Sequence, residues 1–132
     1  MEKKLDKKLE LLVPDFKLCC KIPAGAFEDS IYVWCYESTP VGCMQILVLR
    51  SDVGCYESFL PAPTLAEIFA KLPQTASVTW FQQEEYHNKF AVGCYIMQNK
   101  PHKVKRIVEI DDNSATAALR LWLAINKDAE NE

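Results

Sequence analysis

The chain has 132 residues, of which 49% are apolar and 25% charged, with a formal net charge of −3. That size and balance are those of a single soluble domain, and the charge is too small to argue for a polyanionic or membrane partner. No apolar run approaches the ~20 residues of a membrane span, and the start Met1-Glu2-Lys3-Lys4 leads into an amphipathic stretch rather than an apolar signal core, so a cytoplasmic protein is expected.

Leu5, Leu9 and Leu12 recur at helical spacing and predict an N-terminal helix. Its charges oppose it. Glu2/Asp6, Lys3/Lys7, Lys4/Lys8 and Asp6/Glu10 are like-charged i, i+4 pairs, each costing roughly a few tenths of a kcal/mol, and Lys3/Asp6 and Lys7/Glu10 offset them only in part. Residues 1–14 are therefore expected to fray unless the body of the protein, a partner or a second copy covers the leucine row; self-association through this helix is one such arrangement. Beyond Pro14, Asp15 can cap a helix of one to two turns reaching Lys21. Pro23, Gly25 and Glu28-Asp29-Ser30 read as a loop.

Ile31 to Tyr36 predicts a strand with Ile31, Val33 and Cys35 on one face and Tyr32, Trp34 and Tyr36 on the other. Ser38-Thr39-Pro40 with Gly42 makes a hairpin-like connection. Met44 to Arg50 is a nearly continuous apolar strand, which predicts cover on both faces. After a turn at Ser51 to Gly54, residues Tyr56 to Leu60 can pair briefly before Pro61.

Thr64 to Asn126 organises the rest: a helix, three strands and a closing helix. Pro61-Ala62-Pro63 holds the approach extended, and Thr64 with Glu67 has the capping-box spacing. Leu65, Ile68, Phe69 and Leu72 form one apolar stripe, stopped by Pro73. Ser77 to Phe81 and Phe90 to Met97 are strands separated by a polar break at Gln82 to Lys89. Phe90, Val92, Cys94 and Ile96 make the bulkier face of the second. Val104 to Ile110 is the third, where Val104, Ile107 and Val108 break alternation and leave the register open. Asp111-Asp112-Asn113-Ser114 offers several helix caps, and Ala115 to Asn126 is apolar around most of its circumference, as a core helix is. Asp128 to Glu132 reads as a disordered tail. Together these elements predict an α+β fold, a single domain with an antiparallel sheet of about five strands, helices mainly on one face, and α-β-β-β-α order in the C-terminal half.

Three groups of landmarks now stand in order: Asp29-Ser30-Ile31-Tyr32-Val33-Trp34; Leu60-Pro61-Ala62-Pro63-Thr64-Leu65-Ala66-Glu67-Ile68; and Asn113 to Leu123, containing Ala118-Leu119-Arg120-Leu121-Trp122-Leu123. They resemble small proteins encoded in prophages and other mobile elements of Bacteroides-type gut bacteria, over roughly residues 17–126. The residues that carry the resemblance are a helix start and a core helix, so it implies no activity, cofactor or catalytic residue. The α-β-β-β-α order is also that of a double-stranded-RNA-binding domain, which reads RNA through lysines at the start of its last helix. This chain has Asp111-Asp112-Asn113-Ser114 there, and the acids Glu84 and Glu85 between its first two strands, which would repel a phosphate backbone.

Catalytic and metal chemistry find little support. Cys19, Cys20, Cys35, Cys43, Cys55 and Cys94 include no C-x-x-C spacing, so free thiols are expected and neither a metal nor a cofactor. A Cys94–His87 nucleophile pair is conceivable, but Cys94 alternates with core residues and thiolate chemistry needs a polar, electropositive pocket. The candidate binding surfaces are two. Lys100, His102, Lys103, Lys105 and Arg106 form a basic run that could meet an anionic partner, or could be a solvated face that guards a sheet edge. Tyr32, Trp34 and Tyr36 form an aromatic face of the kind enriched at interfaces, unless the N-terminal helices cover it. The expectation is a non-enzyme, a mobile-element accessory protein that binds another protein; the alternative is a nucleic-acid-associated protein using residues 100–106.

Overall fold

The structure is a computed structural model that describes residues 10, 12–53, 59–83, 86–97 and 104–130. Helix α1 (Phe16–Cys19) is capped by Asp15, whose side chain accepts from Leu18 N at 2.7 Å. Strands β1 (Tyr32–Thr39) and β2 (Gly42–Leu49) form a hairpin, and β3 (Phe59–Ala62) returns to the other side of β1. Helix α2 (Leu65–Phe69) opens with a closed capping box: Glu67 N donates to the Thr64 hydroxyl at 3.3 Å, and Thr64 N donates to Glu67 Oε1 at 2.8 Å. The second Glu67 oxygen accepts from Ile31 N at 3.1 Å and so ties this helix to the start of the first sheet. Strands β4 (Ser77–Gln83), β5 (Tyr86–Met97) and β6 (Val104–Asp111) form a meander closed by α3 (Ser114–Glu130).

The fold is α+β, and its strands make two antiparallel sheets of three rather than one of about five, ordered β2-β1-β3 and β4-β5-β6. The division falls where Pro61-Ala62-Pro63 ends β3 and α2 begins, because neither proline can donate to a further ladder. Two further expectations are corrected. The polar segment Gln82 to Lys89 is mostly strand, since β4 runs to Gln83 and β5 starts at Tyr86, with a register shift between Phe81 and Gln83. Backbone pairing in a long hairpin does not require apolar side chains. The final helix also runs on through Glu130 rather than stopping before a disordered tail at Asp128.

One contiguous core takes side chains from both sheets and from the helices: Trp34 and Leu47 from the first sheet, Val92 and Cys94 from the second, Ile68 and Leu72 at α2, and Ala115, Ala118, Leu119 and Leu121 from α3. Helix α3 lies on β5 and β6 and is met by α2. Asn113 fixes its start, accepting from Ala115 N and Thr116 N, while its amide nitrogen donates to Val13 O at 2.9 Å. That side chain therefore ties the N-terminal segment to the closing helix across 100 residues. Beyond β1, Arg50 gathers the loop before the strand by donating to Ser30 O at 2.7 Å and to the Ser30 hydroxyl at 2.9 Å. In that loop Phe27 takes the left-handed conformation (φ 58°), which a bulky residue holds only when over-determined. Its ring is buried against Trp122 at 4.8 Å, edge to face, which supplies the restraint.

Candidate functional site

The side chains of β6 face the opposite way from what their hydrophobicity alone implies. Its register with β5 pairs Cys94 with Ile107, Val92 with Glu109 and Phe90 with Asp111. Paired residues share a face, so Lys105, Ile107, Glu109 and Asp111 lie on the side that α3 covers. Asp111 meets Arg120 of that helix at 3.1 Å. Val104, Arg106, Val108 and Ile110 lie on the other side, together with Tyr95, Gly93 and Ala91 of β5 and Ser77 of β4. The more polar set is turned to the helix and the more apolar set to the outside.

That outer face is open: Val104 is 62% exposed, Tyr95 51%, Ile110 50% and Val108 38%. The Arg106 guanidinium stands 6.0 Å from the centre of the Tyr95 ring, within reach of a cation–π contact. Thr75 fixes Tyr95 from the edge where β4 has not yet begun, donating to Tyr95 O at 2.7 Å and accepting from Tyr95 N at 3.0 Å. Its side chain thus substitutes for a backbone pair. Between Tyr95 and Val108 the face dips at Gly93, where a Cβ would stand 3.0 Å from Val108 Cγ2 and 3.1 Å from Ile107 O. The resulting depression of about 120 Å³ is lined by Thr75, Ser77, Ala91, Gly93, Cys94, Tyr95, Arg106 and Val108. Among the described residues this surface combines the β-branched side chains of Val104, Val108 and Ile110 with the Arg106 guanidinium and the Tyr95 phenol, a composition suited to protein contact.

The residues singled out from sequence are distributed otherwise than expected. Lys105 and Arg106 fall on opposite faces of β6, as neighbours in a strand must, so they do not act together on one flat partner. Lys100, His102 and Lys103 lie outside the described residues, as do residues 1–9 and Leu11 of the N-terminal leucine segment. Of the aromatic row, Trp34 is buried rather than open. Its Nε1 donates to Pro14 O at 3.2 Å, and Phe16 of α1 packs edge-on against it at 6.2 Å and against Tyr36 at 5.1 Å. Helix α1 covers this face because Pro14 and Asp15 are held there. Tyr32 is half-buried against the same core, and Tyr36 alone stays exposed.

Among the described thiols Cys19, Cys35 and Cys94 are buried, and Cys20 is exposed. Cys19 is fully buried beside Pro14 O, and burial, with the Asp15 carboxylate adding to it, pushes its thiol up to about 12. Burial also raises the Cys94 thiol, away from the reactive thiolate. His87 sits seven residues back along β5, roughly 20 Å away at strand rise, which separates the conceivable nucleophile pair. Among the described residues no three His, Cys, Asp or Glu side chains converge as metal ligands, and no helix is long and apolar enough to cross a membrane.

Sequence reasoning missed Tyr95, Val104, Val108 and Ile110. The signal was present in the even-numbered apolar residues of β6, but Ile107 obscured it and only the register with β5 assigns the faces. Comparison with protein-family models, with curated proteins and with solved structures gives no match.

Proposed function

We propose that this is a non-catalytic accessory protein, encoded by a mobile element and working in the cytoplasm, that acts by binding another protein. Its docking face is the outer side of the second sheet, and its partner is an apolar protein surface bearing a carboxylate to meet Arg106. One observation carries the reading: β6 turns Val104, Val108 and Ile110 outward and Glu109 and Asp111 toward α3. Folding alone favours the reverse orientation, and a local pattern set against the fold marks a surface kept for something else. The alternative, a nucleic-acid-associated protein, gains less support because Lys105 and Arg106 do not share a face.

The test is affinity capture of the tagged chain from its host, with and without nuclease, run in parallel with Val108→Asp. The expected result is a protein retained through nuclease treatment and lost with the variant. Enrichment that disappears with nuclease, or that is indifferent to Val108→Asp, overturns the assignment.

A further inference from the structure

Strand β6 ends the second sheet, and among the described residues no strand pairs with its outer edge. Edge strands are commonly guarded by charge, often lysine, which repels an incoming like edge. β6 is charged differently. Lys105 and Arg106 occupy its N-terminal half, and Glu109 and Asp111 its C-terminal half. An identical strand arriving antiparallel therefore sets each positive end against a negative one.

We propose that this edge takes a second copy of the chain, pairing β6 with β6 antiparallel about a twofold axis at Ile107. An axis perpendicular to the sheet keeps the two helix-covered faces on the same side, which allows only registers that pair residues of like parity. With the axis at Ile107, Lys105 lies opposite the partner's Glu109 and Glu109 opposite the partner's Lys105. Val104 lies opposite the partner's Ile110, Ile110 opposite the partner's Val104, and Ile107 opposite itself. Directly opposed side chains stand about 5 Å apart at Cβ, close enough for both ion pairs and both apolar pairs to form. Shifting the axis to Arg106 would oppose two guanidinium groups. Shifting it to Val108 would set Ile107 against Glu109 and would lose the Val104–Ile110 pairs. The register at Ile107 is thus favoured by charge and by apolar matching together. The product is a continuous six-stranded sheet with the two outer faces side by side. This pairing uses the strand's edge and is independent of what docks on its face.

Sedimentation velocity across a concentration series, on the full chain, tests it by charge exchange. The native chain forms a dimer. Lys105→Glu and Glu109→Lys each replace two opposite-charge pairs by two like-charge pairs and weaken that dimer by about tenfold or more. An equimolar mixture of the two single variants restores opposite signs at both positions and gives a heterodimer, and the doubly exchanged variant recovers the homodimer. Circular dichroism confirms that each variant is folded; should one single variant fail to fold, the doubly exchanged variant still decides. A chain that remains monomeric throughout, or a dimer equally strong in both single variants, overturns the proposal.

Discussion

The two sheets are built from similar apolar strands and end with opposite degrees of cover. On the first, the face away from α1 carries Val33, Cys35, Ile46 and Val48, none more than 5% exposed, as a buried cluster of their own joined by Val53. Its other face supplies Trp34 and Leu47 to the main core, so Ile46, Leu47 and Val48 are buried in succession. On the second sheet α3 covers one face, and the opposite face leaves Val104, Val108 and Ile110 at 38–62% exposure. The contrast teaches that an apolar strand face announces a surface that something covers, without saying whether the cover is intramolecular. On β6 the polar Glu109 and Asp111 are turned to the helix, where Asp111 meets Arg120, and the apolar Val104, Val108 and Ile110 to the outside.

The sharpest way to break this comparison is one substitution made twice. Val48→Asp buries a carboxylate at a position 1% exposed, in a cluster with Val33, Cys35 and Ile46. An unpaired buried charge costs several kcal/mol, a large part of the ~5–15 kcal/mol that holds a domain together, so the variant is expected to be unfolded or nearly so at 25 °C. Val108→Asp places the same group on the open sheet and is expected to cost about 1 kcal/mol or less, chiefly through strand propensity. Urea midpoints followed by circular dichroism decide the matter. Equal losses would mean that the second sheet is as closed as the first.

The sequence made part of this legible. Helix starts at Asp15 and Thr64 were readable because a capping side chain acts within three residues, and the same range explains Asn113 among its acidic neighbours. The double cover of β2 was readable from an unbroken apolar run. The division into two sheets was not, because strand pairing is a long-range choice that Pro61 and Pro63 bias without specifying. Cover of Trp34 by the N-terminal helices was one of two readings left open, and Pro14 and Phe16 supply it by folding back across 20 residues. The candidate site was hidden for the same reason. Val104, Ile107, Val108 and Ile110 carry no preference of their own between the two faces, and β5 assigns them. Phe27 gave no warning at all, since its left-handed backbone is imposed by the Trp122 contact and the Arg50 bonds.

A second measurement sharpens the closed side through its thiols. The folded protein holds the Cys19 proton more tightly than the unfolded chain, whose thiol keeps its ordinary value of 9.0 against about 12 when folded. The unfolded state therefore loses that proton first as pH rises. The stability this group contributes is complete below pH 9 and declines between 9 and 12, at up to about 1.4 kcal/mol per pH unit. Cys94 acts in the same direction, its thiol also being raised by burial. Cys19→Ala is expected to make the fall in urea midpoint above pH 9 shallower, and a slope identical to that of the native chain would mean that Cys19 at the end of α1 is not sealed in the core.

The smallest expected effect is the most telling about the open side. Ile110→Thr keeps the β-branched shape that a strand favours and removes apolar surface from a side chain already half in water. Its stability is expected to stay within about 0.5 kcal/mol of the native chain. The same exchange at the covered position, Ile46→Thr, puts a hydroxyl among Val33, Cys35 and Val48 and is expected to cost about 1–3 kcal/mol. Binding should sort the pair in the opposite order. Replacing the ethyl branch by a hydroxyl removes about two buried carbons from a docking face and costs about 1.6 kcal/mol, near fifteenfold in affinity, so Ile110→Thr weakens partner retention while Ile46→Thr, wherever it remains folded, leaves it intact. If Ile110→Thr instead loses stability like Ile46→Thr and binds like the native chain, the outer face of the second sheet is a covered surface, and the inverted pattern of β6 belongs to folding after all.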